Sequence, residues 1–461
     1  MMKIDMPNEN IDSITGSPRK AINKLAFPTI FSMLLMFLNN LIDSFWVAGI
    51  NANALAALGF TTPLYLVIIG LGSGVGAGAN SLISRYVGAE RFEDANNAVV
   101  HAFILMVVVS VIVLIVGIFF LDDLILLLGA GSVSTYCLSY GEIIFFLNIV
   151  FLAPNVTSSI FRAEGDVKRA TNPLILTAVI NMILDPLLIY GLNLGIFGAG
   201  LATVIASFAG FVWMLYWIYV KKDTYFQFNF SYYKRRLEIY KEILVVSLPA
   251  GFEEIIFSLV AIILNYLIMV TAGVNEIASF TIAWRFISII FIPCMAIGIA
   301  TITVSGIAYG ARNWENFNET IKYSTILSLA VTLALSAIFL IFAHPICELF
   351  NFQANNFALV NRAAEILQLL VFYNFLIPFG ATAAYVYQGV GSGFKSLGLT
   401  ILREIILSMA FAYVMGITFA MGVFGVYLGA IIGMNIGSII GFVCIWIFNL
   451  KFKKEVYNIK S

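Results

Sequence analysis

The sequence contains little charge and few of the residues that build metal or redox sites. Charged residues make up 11% of the 461 positions, against about 25% in a soluble domain, and this excludes a soluble globular protein. Two histidines and four scattered cysteines without a Cys-x-x-Cys spacing exclude a zinc site. A formal net charge of zero leaves no basic footprint for nucleic acid. We therefore expect no nucleic-acid partner, no bound cofactor and no enzymatic activity.

Apolar residues, by contrast, make up 61% of the chain. About twenty consecutive apolar residues cross a bilayer as a helix. The first twenty residues are polar and lack the apolar core of a signal peptide, so they are interpreted as a tail. The sequence predicts an all-α integral membrane protein with twelve transmembrane helices. Their approximate ranges are 25–49, 57–84, 98–121, 137–161, 170–191, 197–220, 243–271, 277–308, 323–343, 363–389, 397–417 and 423–449.

Lysine and arginine are distributed unevenly between the two sides of these spans. Of 25 such residues, 22 fall in the two tails and in the loops that follow the even-numbered spans as far as the tenth. Since cytoplasmic loops carry the excess of positive charge, both termini are predicted to be cytoplasmic. We expect a multi-pass protein of the cell membrane, in contact with lipid and monomeric.

Glycines and prolines recur in the same order in two halves of the chain. Pro28 aligns with Pro249 at a separation of 221, and Gly195 aligns with Gly422 at a separation of 227, with three further pairs between them. Each half has six spans, which predicts a parallel repeat, a central cavity and alternating access. The predicted domains are a tail (1–24), an N-terminal lobe (25–220), a cytoplasmic linker (221–242), a C-terminal lobe (243–449) and a second tail (450–461).

Polar residues within the N-terminal spans are candidates for a cation site. Asp43 and Asn39 share one face of span 1, and Asp185 and Asn181 share one face of span 5 at similar depth. An ionised carboxylate at such a depth costs roughly 2.5–3.5 kcal/mol, so a purely structural role is costly. Carboxylate, amide and hydroxyl oxygens are suited to hold H⁺ or Na⁺. The alternative is a buried hydrogen-bonded network that only packs helices. Further candidates are Thr203 in the cation site and Asn155 in the cavity.

The acidic pair is not duplicated in the C-terminal lobe. Span 7 carries Glu253 and Glu254 about ten residues from its cytoplasmic end. Adjacent helical residues point about 100° apart, so at most one of these is expected to face the cavity. In span 11, Arg403 and Glu404 are interpreted as an ion pair near the inner membrane edge.

Several segments resemble the multidrug and toxic compound extrusion (MATE) transporters, and most closely their prokaryotic DinF-like and archaeal members. The resemblance implies a V-shaped pair of six-helix bundles that exports organic cations and drugs in exchange for H⁺ or Na⁺. It also implies a cation site at Asp43, Asn181, Asp185 and Thr203, with Glu253 or Glu254 as the counterpart of an acid used in one branch. The segments are NLIDSFWVAG (40–49), SLISRYVGAE (81–90), FRAEGD (161–166), LDPLLIYGLNLGIFGAGLAT (184–203) and GIAYGAR (306–312).

Three alternatives remain open from the sequence. A lipid-linked oligosaccharide flippase of the same superfamily would have a more cationic cavity, whereas few Lys or Arg lie within these spans. A major-facilitator transporter would have a charged G-x-x-x-D-[RK] loop after span 2, which SRYVGAERFEDA (84–95) matches poorly. An intramembrane enzyme would need a nucleophile, metal or phosphate constellation, and the sequence offers none.

Overall fold

The helices of this computed structural model follow the apolar runs of the sequence. The structure describes residues 9–226, 228, 232–348 and 357–458, and no strand occurs in these ranges. Ten helices, some of them extended by π-helical turns, are long and apolar enough to cross a membrane, and two bent helix pairs bring the total to twelve. The prediction of an all-α membrane protein is confirmed. The helices are α1 (Glu9–Thr15), α2 (Pro18–Ala48), α3 (Ala52–Gly88), α4 (Phe92–Leu127), α5 (Ser134–Phe146), α6 (Ile149–Ala163), α7 (Val167–Pro186), α8 (Gly195–Leu215), α9 (Leu237–Ala272), α10 (Val274–Gly310), α11 (Trp314–Ile341), α12 (Ala343–Glu348), α13 (Phe357–Leu370), α14 (Ile377–Gly389), α15 (Gly393–Thr400), α16 (Ala410–Tyr413) and α17 (Gly422–Val456).

The two bent spans are the fourth and the tenth, which the predicted repeat makes equivalent. α5 and α6 meet at 48°, and α13 and α14 meet at 47°. A break in a helix frees backbone carbonyls and amides that need new partners inside a membrane. Buried Asn148 at the first break donates to Phe145 O and Ser110 O, at 2.8 and 3.1 Å. Buried Asn374 at the second break donates to Ile287 O at 3.0 Å.

Contacts divide the chain into two compact units. The N-terminal unit comprises Met1–Gly16 and Phe27–Glu254, and the C-terminal unit comprises Ser17–Ala26 and Ile255–Ser461. The division therefore falls inside α2 and inside α9, whereas the lobes predicted from the sequence begin and end between spans. The first half of α9 packs against the glycines of span 2, where a Cβ on Gly74 would lie 2.5 Å from Ser247 O. Close approach of this kind is the role expected of small residues between membrane helices.

The polar N-terminal segment forms a short helix on the N-terminal unit. α1 buries Ile11 and Ile14, and its Asn10 carbonyl faces Gly165 in the loop between α6 and α7. Gly165 has φ +80°, and a Cβ there would lie 2.5 Å from Asn10 O. Only glycine satisfies both the backbone conformation and the spacing.

The described part of the predicted linker is bonded to the same unit. The side chain of Asn97 in α4 donates to Lys234 O and accepts from Lys234 N, both at 3.0 Å. Arg236 pairs with Asp94 at 2.7 Å. Asn97 and Asp94 therefore hold the linker along the end of α4.

Span 11 packs closely on span 12 because span 12 carries glycine at every fourth position from Gly425 to Gly441. A Cβ on Gly425 would lie 2.5 Å from Met415 O, and one on Gly437 would lie 2.7 Å from Arg403 Cα. Much of span 11 is π-helical, over Ile401–Met409 and Val414–Thr418. The glycine face therefore lets the backbone of span 12 contact this wider helix directly.

Candidate cation site

The polar residues of spans 1, 5 and 6 meet within the N-terminal unit. α7 ends at Asp185-Pro186, and the chain continues as a π-helical turn over Leu187–Gly191. Proline lacks an amide hydrogen and interrupts the regular helical ladder. Asp185 thus lies at the point where span 5 departs from α-helical geometry, a setting often found at functional sites.

A chain of side-chain amides connects the three spans. Asn39 Nδ2 of α2 donates to Asn181 Oδ1 of α7 at 2.7 Å. Asn181 Nδ2 donates to Asp185 Oδ1 at 3.1 Å and approaches Thr203 Oγ1 at 3.5 Å. Thr203 donates its own hydroxyl hydrogen to Ala199 O at 3.0 Å, so its oxygen faces Asn181 as an acceptor. Asn181 is therefore the central residue of the network.

Both carboxylates of the site are buried. Asp43 is 9% exposed and Asp185 is 0% exposed, and the two lie within electrostatic range of each other. Among the described residues, Asp43 Oδ1, Asp185 Oδ2 and Asn39 Oδ1 are buried without a hydrogen-bond partner. Buried oxygens of this kind normally have a partner. The site therefore has acceptor capacity for a proton or a hard cation.

The donor set fits a monovalent ion better than a transition metal. No group of three or more His, Cys, Asp or Glu that could hold a metal occurs in the described ranges. Two carboxylates with amide and hydroxyl oxygens are the ligands that hard cations prefer. The predicted residues Asp43, Asn181, Asp185 and Thr203 supply oxygens of this kind. Their hydrogen bonds and the electrostatic interaction between the two carboxylates place them in one cluster.

Sequence reasoning missed two tyrosines near this site. Tyr140 of α5 lies within electrostatic range of Asp43, Asp185 and Tyr65, and it is 4% exposed. Tyr65 of α3 lies in turn within electrostatic range of Asp43. Tyrosine is common in membrane helices, and no sequence motif or helical spacing distinguishes Tyr65 and Tyr140 from the other tyrosines. Their hydroxyl groups extend the polar cluster onto spans 2 and 4.

An aromatic pair connects the C-terminal ends of spans 1 and 5 beside the site. Tyr190 of the π-helical turn donates its hydroxyl to Trp46 O at 2.5 Å. The two rings meet edge to face with centroids 6.0 Å apart. Trp46 lies three residues after Asp43, so this contact holds the end of α2 against the turn that follows Asp185.

The other predicted residues lie outside this network. The amide of Asn155 donates to Phe151 O of its own helix at 2.9 Å, and its Cβ faces Gly72. Glu253 and Glu254 are half-buried in the first half of α9. The Cβ of Glu254 would lie 3.1 Å from a Cβ on Gly70.

Comparison with known proteins identifies the family. The family model MatE matches residues 28–187 and 249–414. The chain belongs to the MATE family of transporters. The two matched segments of this MATE chain begin at Pro28 and Pro249, the first of the pairs from which the repeat was predicted.

Individual relatives agree with this assignment. The multidrug export protein MepA of Staphylococcus haemolyticus is 26% identical over 385 residues, covering 81% of this chain and 82% of MepA. A crystal structure of MATE in complex with MaL6 has a TM-score of 0.94 and 32% identity, covering 97% of this chain and 100% of that one. A MOP superfamily transporter from Pyrococcus furiosus has the same TM-score and identity, covering 98% and 100%. The MATE fold is therefore confirmed over nearly the whole chain.

Proposed function

We propose that this MATE transporter is an antiporter that exports amphipathic or cationic organic compounds in exchange for H⁺ or Na⁺. The observation that carries the proposal is the buried cluster of Asp43, Asn181 and Asp185, with acceptor oxygens left over. Two carboxylates within an apolar bundle are costly unless they bind and release a cation. The multidrug export activity named for the MepA relatives supports the direction and substrate class.

The proposed cycle couples two binding events through one conformational change. In the outward-facing state the site takes up H⁺ or Na⁺, which favours release of the exported compound. In the inward-facing state release of the cation favours binding of that compound. Linkage requires only that the cation affinity differ between the two states. Asn181, which is bonded to both α2 and α7 residues, is placed to change partners as the cation enters.

The test is dye efflux from proteoliposomes under an imposed pH gradient or an imposed Na⁺ gradient. Wild type is compared with Asp43→Asn and Asp185→Asn, which keep size but remove the titratable charge. Asp122→Asn is the matched control, since Asp122 is an exposed carboxylate of the same unit. We expect efflux under one gradient, loss in both site variants and no change in the control. Unchanged efflux in Asp43→Asn would exclude the coupling role, and the gradient that drives wild-type efflux identifies the ion.

A further inference from the structure

The two units differ in the balance of charge at the ends that the sequence predicts to be cytoplasmic. In the C-terminal unit the segments at this end contain nine basic and three acidic residues. In the N-terminal unit they contain eleven basic and ten acidic residues. The positive-inside rule predicts basic residues on this side for both units, but a large net positive charge occurs only in the C-terminal one. The segments are 17–26, 309–323, 389–400 and 449–458 in the C-terminal unit, and 9–16, 85–97, 162–169 and 221–242 in the N-terminal unit.

Carboxylates compensate the basic residues of the N-terminal unit through ion pairs. Arg169 lies 2.7 Å from Asp223, and Arg85 lies 3.1 Å from Glu242. Asp94 accepts from Arg236 in the same way, as described for the linker. The guanidinium groups of this end are therefore engaged within the protein.

Five lysines at the corresponding end of the C-terminal unit have no such compensation. Within the described ranges, none of the five forms an ion pair with a carboxylate. Glu319 pairs instead with Arg19 at 2.8 Å, and Glu315 accepts from Tyr457 at 3.3 Å. We refer to the five lysines as the basic rim. They are Lys322, Lys395, Lys451, Lys453 and Lys454.

Aromatic rings position three lysines of the basic rim. Their ammonium nitrogens lie 4.4, 5.6 and 5.7 Å from ring centroids. A ring face attracts an ammonium group electrostatically, but it does not accept all three of the N–H donors that the group carries. These lysines therefore keep donors for an oxyanion. The pairs are Lys453 with Trp314, Lys395 with Phe448 and Lys322 with Trp446.

The rings beside the basic rim are part of a buried cluster that joins α11 to α17. Phe317 of α11 and Phe452 of α17 are 0% and 4% exposed, and their ring centroids are 5.1 Å apart. Trp314 Nε1 donates to Oδ1 of fully buried Asn449 at 2.9 Å. The lysines thus extend from a packed base, which lowers the entropy that they lose when they bind a ligand.

The basic rim lies where the apolar spans end. Lys322 and Lys395 come just before the predicted spans 323–343 and 397–417, and the other three lysines follow the span 423–449. At such positions the lysine stem lies along apolar surface while the ammonium group stays at the interface. The rim is therefore at the level of the lipid headgroups.

We infer that the basic rim binds the headgroups of anionic phospholipids, so that the C-terminal unit selects anionic lipid on the cytoplasmic side and the N-terminal unit does not. Uncompensated lysines next to a membrane helix attract the anionic lipids of that leaflet. Tryptophan and tyrosine beside them are the residues that anchor a protein at the interface. The inference concerns lipid and does not depend on the proposed exchange of an organic compound for a cation.

Native mass spectrometry of the full-length protein in detergent tests this inference. Dioleoyl phosphatidylglycerol and dioleoyl phosphatidylcholine share their acyl chains and differ in net charge, and a dissociation constant is measured for each. The rim variant combines Lys322→Gln, Lys395→Gln and Lys453→Gln. Each lysine near an anionic surface contributes about fivefold in affinity, so we expect phosphatidylglycerol binding to weaken at least about tenfold. Binding of phosphatidylcholine is expected to be unchanged, which also shows that the variant is folded.

A matched control removes three exposed lysines from the predicted cytoplasmic end of the N-terminal unit. It combines Lys168→Gln, Lys221→Gln and Lys222→Gln. It changes the net charge as much as the rim variant does, and it is expected to bind phosphatidylglycerol as wild type does. Equal losses in the two variants would assign the affinity to total charge and overturn the inference. An unchanged affinity in the rim variant would overturn it as well.

Two further variants separate charge from packing. Arginine in place of Lys322, Lys395 and Lys453 keeps the charge, so phosphatidylglycerol binding is expected to be retained. A loss as large as that of the glutamine variant would show that packing of the lysine stems, not charge, determines the affinity, and would overturn the inference. Lys395→Gln alone is expected to lose about fivefold, and this single change keeps the test decisive if three substitutions together impair folding.

An acidic protein segment is the other ligand that a basic surface could bind. Anisotropy of a fluorescent oligoglutamate peptide is measured in the same detergent with wild type and the rim variant. Weaker binding of the peptide than of phosphatidylglycerol supports the lipid. Tighter binding of the peptide that is lost in the rim variant would overturn the inference in favour of a protein partner. None of these measurements needs a gradient, so failure of coupled efflux would refute the proposed function alone.

Discussion

The buried pair of Arg403 and Glu404 allows a quantitative prediction about the C-terminal unit. Arg403 is the eleventh residue of span 11, which extends over Gly393–Thr418. The two side chains are 5% and 2% exposed, and their closest atoms are 2.7 Å apart. The interpretation as an ion pair agrees with this geometry, but the pair is buried well inside the span rather than at its inner edge.

The predicted magnitudes follow from the burial. Removing one partner of a buried pair leaves an uncompensated charge and costs about 3–5 kcal/mol, whereas replacing both by apolar residues of similar volume is neutral or stabilising by about 1–4 kcal/mol. Arg403 lies between Gly380 and Gly437, so its volume matters. A Cβ on Gly380 would lie 2.9 Å from its Nη1. Methionine is unbranched and flexible, so it is the replacement that best fills the space between these two glycines.

The assay is a double-mutant cycle on the free energy of unfolding, measured by chemical denaturation in detergent. We expect Arg403→Met and Glu404→Met each to be destabilised by about 3–5 kcal/mol, and the double variant to recover to within about 1 kcal/mol of wild type. The matched control is Arg19 and Glu319, which lie 2.8 Å apart but are 65% and 37% exposed. That pair is expected to contribute less than about 1 kcal/mol.

Two outcomes would refute this reasoning. Single variants that lose less than about 1 kcal/mol would show that the two charges are solvated in the native state. A double variant whose loss of unfolding free energy equals the sum of the two single losses would also refute it. That result would show that lost packing, not the uncompensated charge, causes the destabilisation. A stable double variant with impaired efflux would instead show that the pair takes part in transport.

Two further predictions concern a buried carboxyl and a close helix contact. Glu164 lies outside the spans, and burial raises its pKa from 4.5 to about 8 although Phe226 N donates to it. The native state then holds a proton that the unfolded chain releases between these values, so the free energy of unfolding falls as pH rises from 4.5 to 8. Glu164→Gln is expected to flatten this slope. It is also expected to be more stable than wild type at pH 8 by at most about 5 kcal/mol, because a difference of one pKa unit corresponds to about 1.4 kcal/mol. Gly437→Ala places a Cβ 2.7 Å from Arg403 Cα and is expected to cost about 1–3 kcal/mol of unfolding free energy.

Each of these predictions has a control within the chain. Glu93→Gln alters an exposed carboxyl of the same unit, and its pH profile is expected to match that of wild type. A steep slope retained in Glu164→Gln would contradict the assignment. A Cβ on Gly398 would meet no atom within 4 Å, so Gly398→Ala is expected to stabilise by about 0.5–1 kcal/mol. Equal stability of the two alanine variants would show that the contact at Gly437 is not tight.

The sequence predicted the features that follow from hydrophobicity and periodicity. Twelve apolar runs predicted the twelve spans, and helical spacing placed Asp43 beside Asn39 and Asp185 beside Asn181. The repeat was visible because glycine and proline have backbone requirements that recur with the fold. Each of these signals lies in a short stretch of residues, so one sequence without an alignment is enough to detect it.

Tertiary structure alone decided which side chains meet. The bond from Asn39 to Asn181 joins helices that are 142 residues apart in sequence, and the contact from Asn181 to Thr203 joins two consecutive helices. No residue spacing predicts either contact. Tyr140 entered the site for the same reason. Local periodicity determines the helices and their faces, whereas packing between distant segments determines the chemistry that those faces share.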